Sequence, residues 1–281
     1  MCCMPTSAFT EFSNESITMP IIESNGLKVE NTRTGAGADL LLLHSLLTEL
    51  TVFERVLPAL AAPGRRVTCI NLPGYGASAP AAFVSVADYA DHIARSMDAL
   101  GLAPTTDVFG NGFGAFVALE LALRHGKRFG RLLVADTVAA FPEPARLPFR
   151  GMAEKVRADG MQAVLDTAIG RMFPAAFQAA HPAVVAERKA KLAPADAECF
   201  ARACLALAAL DLRAQLGGIR NPTLVLCGAL DQTTPPGLAE EVAKAIPGAQ
   251  YREIAGSGHC PMLEQPEALV AAMNAFLGGG A

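Results

Sequence analysis

No apolar run in this 281-residue sequence approaches the roughly 20 residues that span a bilayer. The stretch from Met1 to Pro20 also lacks a basic start followed by an apolar segment, so neither a membrane anchor nor export by that route is expected. Lysine and arginine are not clustered and the formal net charge is −4, which argues against a nucleic-acid partner. The histidines, His44, His92, His125, His181 and His259, pair with no other His, Cys or carboxylate at a metal-binding spacing. No metal and no cofactor is therefore expected. The seven cysteines, Cys2, Cys3, Cys69, Cys199, Cys204, Cys227 and Cys260, include no Cys-x-x-Cys pair, and this odd, scattered set suits reduced core thiols in a cytoplasm.

Hydrophobic residues make up 52% of the chain and charged residues 18%, a balance that favours one large buried core over disorder. Residues 1–18 are polar and aperiodic and read as an N-terminal tail. From Met19 onward, short apolar runs bounded by Gly, Pro or Asp alternate with helical patterns, as in an α/β fold with a mostly parallel central sheet flanked by helices. The runs are Leu40 to His44, Arg66 to Leu72, Thr106 to Gly110, Arg131 to Asp136, Thr223 to Gly228 and Gln250 to Ile254. Helices are expected over Val52 to Leu60, Val86 to Leu100, Phe113 to Arg124, Gly237 to Ala245 and Pro266 to Phe276. Phe141 to Leu216 breaks the alternation, with helical segments at Gly151 to Ala158, Met161 to Phe173 and Asp196 to Leu210 but no convincing strand. The expected division is an α/β core over 19–140 and 217–281, with an inserted helical cap over 141–216.

The segment Gly110-Asn111-Gly112-Phe113-Gly114 follows a strand and precedes a long helical pattern. It has the form of the Gly-x-Ser-x-Gly nucleophile elbow, with glycine in the central place. The flanking glycines let strand and helix pass closely, and the central residue of such a turn is held in a strained conformation that glycine adopts with least cost. A Gly-rich strand-to-helix turn also serves phosphate binding, but that use wants the turn after the first strand, and this one follows the third predicted strand.

Two later segments favour the elbow. Leu224 to Asp231 places an acid just past a strand end, and Gly256-Ser257-Gly258-His259 places an imidazole in a Gly-rich loop after the last strand. The chain order nucleophile position, acid, histidine is that of Ser-His-Asp hydrolysis on an α/β sheet. Asp231 could also cap the helix ahead of it, and Asp136 is a rival acid. His44 reads as a hydrogen-bonded strand end, while His92, His125 and His181 read as helix or surface residues.

With these residues in place the chain resembles the α/β-hydrolase fold superfamily from about Pro20 to the end. Within it, the chain is similar to 3-oxoadipate enol-lactonases through His44-Ser-Leu-Leu-Thr-Glu-Leu50, Val156 to Met161 with Arg171-Met-Phe-Pro174, Cys204 to Arg213, and Asn221 to Pro236. The resemblance implies cofactor-independent hydrolysis of a small ester or lactone, with the amides of Leu46 and Phe113 as the oxyanion hole. A substrate site under the cap is expected to involve Ser45, read as a polar lining group rather than a substitute nucleophile, with Asn111, Arg171 and Met172. Arg150 and Arg157 are further cations that could meet a substrate carboxylate. The chain departs from the family at Gly112, which has no hydroxyl, and at Met172, where those relatives carry a tryptophan. Asn71-Leu-Pro-Gly-Tyr-Gly-Ala-Ser78 resembles a structural loop of the family, with Asn in place of Asp. Gly112 leaves three readings open: a serine-to-glycine variant of a hydrolase, strongly impaired; a pseudoenzyme that binds a small ligand; or an enzyme that uses His259 as a base without a covalent intermediate.

Overall fold

Leu40 to Leu43 are wholly buried, as a strand covered by helices on both faces must be. The same holds for every residue of Asp107–Asn111, Leu132–Ala135 and Thr223–Gly228, which accounts for their continuous rather than alternating apolar character. In the computed structural model, which describes residues 19–278, these runs form the centre of an eight-stranded sheet. Its strands are β1 (Ile21–Ser24), β2 (Leu27–Gly35), β3 (Ala38–Leu43), β4 (Arg65–Ile70), β5 (Asp107–Asn111), β6 (Leu132–Ala135), β7 (Thr223–Gly228) and β8 (Gln250–Ile254). The order across the sheet is β1-β2-β4-β3-β5-β6-β7-β8. Pairing is parallel from β4 through β8 and antiparallel at β1–β2 and β2–β4. The predicted tail over 1–18 lies outside the described residues.

The β1–β2 hairpin adds two strands that the apolar-run reading passes over. Its turn is Asn25-Gly26, both at positive φ (50° and 77°), the residue pair that suits a two-residue hairpin turn. The strands are short or half-exposed and so carry no apolar run.

The helices are α1 (Leu57–Ala61), α2 (Val86–Ala99), α3 (Phe113–His125), α4 (Glu143–Asp159), α5 (Leu165–Met172), α6 (Ala175–Ala180), α7 (Pro182–Leu192), α8 (Ala197–Ala209), α9 (Pro236–Ala245), α10 (Pro261–Glu264) and α11 (Pro266–Gly278). Helix α2 starts where Ser85 and Asp88 cap each other's backbone amides reciprocally. Between β6 and β7 the chain builds α4 to α8 and no strand, apart from a single bridge between Ala140 and Asp211. Helix α7 is tied to the sheet domain by Arg188, almost fully buried, whose Nη1 donates to Thr51 Oγ1 at 3.1 Å and lies 3.4 Å from Glu49 Oε1. Among the described residues no helix is long and apolar enough to cross a membrane.

Strand β3 has β4 on one side and β5 on the other, so the chain leaves β3 and β5 in different directions along the sheet. A crevice opens outside the carboxyl ends of adjacent strands at such a point. The loops after β3 and β5 carry Ser45, Leu46 and Gly112.

Candidate active site

Gly112 links the end of β5 to the first turn of α3 with φ 53° and ψ −116°. A Cβ built on Gly110 would stand 2.2 Å from the carbonyl oxygen of Gly114, and one on Gly114 would stand 2.3 Å from that of Leu43. Both approaches are to backbone, so these two positions admit no side chain without moving strand or helix. The turn is held further by Gly112 N–H donating to Ala135 O and Gly114 N–H donating to His44 O, both at 3.0 Å.

His259 Nδ1 lies 2.8 Å from Asp231 Oδ2. A carboxylate can only accept, so Nδ1 carries a proton, and in the neutral imidazole the free lone pair is on Nε2. Asp231 Oδ1 accepts from the backbone amides of Thr233 and Thr234 at 2.8 and 3.1 Å, and Thr234 Oγ1 donates to Oδ2. Burial opposes charging of His259, but the Asp231 charge and hydrogen bond outweigh it and raise the imidazole above its ordinary range. Burial likewise works to raise Asp231, and the His259 charge with its hydrogen bonds brings it down instead.

Asp136, the rival acid, belongs to the same cluster. It sits at the end of β6 at φ 58°, fully buried, with Oδ1 accepting from Gly228 N–H at 2.8 Å and Oδ2 from Asn111 Nδ2 at 2.7 Å. Burial and the nearby Asp231 charge push its carboxyl up. Ligand atoms of Asp136, Asp231 and His259 lie within 4.8 Å of one another, a spacing that a cation could use. All four carboxylate oxygens already accept hydrogen bonds, so this group reads as a polar network rather than as a metal cage.

The oxyanion-hole candidates Leu46 and Phe113 both line a cavity over Gly112. Leu46 N–H and Phe113 N–H, the latter at the N-terminus of α3, donate to no group among the described residues. The Leu46 loop is fixed from behind: Tyr75 OH donates to Leu46 O at 2.7 Å, and the His44 Nδ1–H donates to Ser45 O at 2.8 Å. His44 Nε2 accepts from Leu72 N–H, and burial lowers this histidine to about 4, so it is a neutral strut. The Asn71 to Ser78 loop therefore braces the Leu46 loop through Tyr75 and the Leu72 amide.

A cavity of about 40 Å³ lies over Gly112. It is bounded by Ser45, Leu46, Phe113, Thr234 and His259 from the sheet domain, and by Phe149, Met152, Ala168, Arg171 and Leu207 from α4, α5 and α8. A larger hollow of about 320 Å³ adjoins it and shares Arg171, Thr233 and His259. A depression of about 1040 Å³ between α2 and the end of α3 shares no lining residue with this site.

One candidate substrate contact, Asn111, is placed differently from the expectation, while Met172 lines the larger hollow. Asn111 faces away from the cavity, donating to Asp136 and to the His259 carbonyl, because alternate residues of β5 point to opposite sides of the sheet. The Met172 side chain is buried beside the larger hollow, and its carbonyl accepts from His259 N–H at 3.0 Å. Arg150 pairs with Glu143 and Arg157 with Glu198, so neither is a free cation. Arg171 borders both hollows and is exposed, with no carboxylate partner among the described residues.

Thr234 and Glu264 are not legible as site residues in the sequence. Glu264 accepts from Gly258 N–H at 2.7 Å and Cys260 N–H at 2.9 Å, gripping the His259 loop from both sides. The only sequence signal for either is its place three residues past Asp231 or five past His259.

A strand-to-helix elbow, followed in chain order by an acid and a hydrogen-bonded histidine at the ends of parallel strands, defines the α/β-hydrolase class. The alpha/beta hydrolase fold family matches residues 40–266, and the chain belongs to it. It is 29% identical over 212 residues to 3-oxoadipate enol-lactonase 2 of Acinetobacter baylyi, covering 75% of this chain and 78% of that one. It is 31% identical over 257 residues to the polyketide synthase ThaQ of Burkholderia thailandensis, covering 90% of this chain but only 12% of the synthase. The crystal structure of an enol-lactonase from Burkholderia xenovorans superposes with a TM-score of 0.86 at 28% identity, covering 92% of this chain and all of that one.

Proposed function

We propose that this chain hydrolyses a small ester or lactone without a cofactor, with His259 as the base, Asp231 as its orienting acid, and the Leu46 and Phe113 amides as oxyanion donors. The observation that carries this reading is the Asp231–His259 pair, whose Nε2 lies beside Gly112 in a cavity that Leu46 and Phe113, both with unpartnered amides, also line. A base aligned by a buried carboxylate and an unfilled pair of amide donors are costly to maintain without use.

In this account α4 to α8, within the cap segment 141–216, cover the substrate, and Arg171 meets any carboxylate it carries. A cavity of about 40 Å³ is smaller than the several hundred Å³ of a typical small-molecule site, so a substrate must widen it toward the adjoining hollow. The relatives named for an enol-lactone support the substrate class. The buried free cysteines Cys69, Cys199, Cys204, Cys227 and Cys260 fit a cytoplasmic setting.

Attack proceeds on the carbonyl carbon while the two amides take the developing negative charge. His259 removes the attacking group's proton and returns it to the leaving oxygen. Gly112 cannot form an acyl-enzyme, so serine hydrolysis by the elbow residue itself is lost. In hydrolases lacking a triad member, the oxyanion hole and binding alone retain roughly 10³–10⁴ over water. That same missing hydroxyl favours a second reading, in which the protein holds a ligand and leaves it unaltered.

A panel of p-nitrophenyl esters and five- and six-membered lactones, followed by mass spectrometry of products, tests the proposal. Acid or hydroxy-acid product that disappears in His259→Ala is expected. No product from any member would leave the ligand-holding reading in its place.

A further inference from the structure

A Cβ built on Gly112 would stand 2.4 Å from Ser45 Oγ, 3.0 Å from Ser45 Cβ and 2.9 Å from His259 Nε2. The side chain of Ser45, from the loop after β3, therefore occupies the space that any residue larger than glycine would need at position 112. The same space adjoins the free nitrogen of the base. Leu46 follows Ser45 in the chain as Phe113 follows position 112, and all four residues line one cavity. Ser45 is buried and its Oγ makes no hydrogen bond with any described residue, while its backbone is clamped on both sides. Its N–H donates to Thr48 Oγ1 at 3.1 Å, and its carbonyl accepts from the His44 Nδ1–H at 2.8 Å.

We propose that Ser45 is the nucleophile of this hydrolase: the catalytic hydroxyl is supplied by the oxyanion loop after β3, and Gly112 is the residue that makes room for it. This rests on the hydrolytic reading above. His259 Nε2 takes the Ser45 hydroxyl proton as Oγ bonds to the substrate carbonyl carbon. The carbonyl–alkoxy bond then breaks, and the imidazolium proton passes to the departing oxygen, which stays tethered as a hydroxyl if the substrate is a lactone. Water next adds to the acyl-Ser45 carbonyl, giving one proton to His259. The carbon–Oγ bond breaks, the acid leaves, and the proton returns to Ser45. No oxidant, metal or second substrate beyond water is consumed.

The arrangement explains two features together. Glycine at 112 is required by the position of Ser45, and a side chain at 112 would displace the hydroxyl from His259. Since the loop is held through the backbone of Ser45, exchanging its side chain leaves the clamp to Thr48 and His44 intact.

The test is covalent labelling with an alkyl fluorophosphonate, read by peptide mapping, alongside p-nitrophenyl acetate turnover. The expected result is one phosphonyl group on Ser45 with loss of fluoride, absent from Ser45→Ala and His259→Ala, and a fall in turnover of at least about 100-fold in Ser45→Ala. Ser45→Cys should become acetylated on sulfur by the same ester, which a merely structural serine would not do. An unlabelled Ser45 in a protein whose turnover still depends on His259 would overturn this inference and leave the hydrolytic reading standing. Absence of both labelling and turnover would overturn both.

Discussion

Ser45 and Gly112 share one space: the hydroxyl of the first lies 2.4 Å from where the second would carry its Cβ. The elbow of this chain is therefore more than a turn with a hydroxyl removed, because a neighbouring side chain leans over it. Restoring a serine there is a two-residue problem.

Gly112→Ser alone places Cβ against Ser45 Oγ and His259 Nε2, at a φ of 53° that side chains rarely adopt. It should cost about 1–3 kcal/mol in urea denaturation. Adding Ser45→Gly removes the opposing Oγ and Cβ, so the double variant should recover stability and label with a fluorophosphonate at position 112 faster than the single one. Equal stability and equal labelling of the two variants would show that the residues do not compete.

Gly114→Ala tests the close passage of α3 over β3, where the new methyl carbon would meet Leu43 O at 2.3 Å. Backbone cannot rotate away as a side chain can, so the loss of stability in urea denaturation should be about 3 kcal/mol or more. A change under about 0.5 kcal/mol, the range of neutral surface substitutions, would contradict the close approach.

The pH dependence of hydrolysis follows from the His259 environment. The base acts only when Nε2 is unprotonated, so kcat/KM rises with pH through its folded pKa. Burial resists the charged form, yet Asp231 prevails and raises this pKa above 6.5. The rising limb should therefore have its midpoint above pH 6.5. Asp231→Asn removes the charge, so the midpoint should fall while the plateau drops on the order of 10³–10⁴-fold. A limb unmoved by that substitution would assign it to another group.

His44 gives a stability prediction of opposite sign. Its folded pKa is depressed to about 4 by burial, so protonation favours the unfolded chain. The stability it confers is complete above 6.5 and is lost as pH falls toward 4. Between pH 7 and 5 this amounts to about 2 kcal/mol. His44→Gln should show that much less variation than the parent over the same interval by urea denaturation, and parallel curves would count against the neutral strut.

The sheet and the elbow can be read from the sequence because their physics is local. Buried strands must be continuous apolar runs, and the close passage at Gly110 and Gly114 demands glycine. The hairpin at Asn25-Gly26 escapes a search for apolar runs, although its turn residues announce it. Helix α7 escapes too, because only Val184, Arg188 and Leu192 face inward, and a buried arginine breaks the apolar stripe. The pairing of Arg188 with Glu49 crosses 139 positions, a separation that no local pattern encodes. Asn111 and Asp136 show the same limit: each is visible as a polar residue at a strand end, but their mutual hydrogen bond beneath His259 depends on strand register. The Ser45–Gly112 relationship likewise requires β3 and β5 to be neighbours.

Hydrolysis in this site is expected to depend on His259 although the elbow has no hydroxyl. This dependence is tested most directly by comparing product formation from the best ester or lactone substrate in the parent protein and in His259→Ala, above about pH 8 and with folding verified by circular dichroism. Turnover in the parent and a loss of at least about 100-fold in the variant are expected. Equal turnover in the two proteins, or none in the parent, would contradict this dependence.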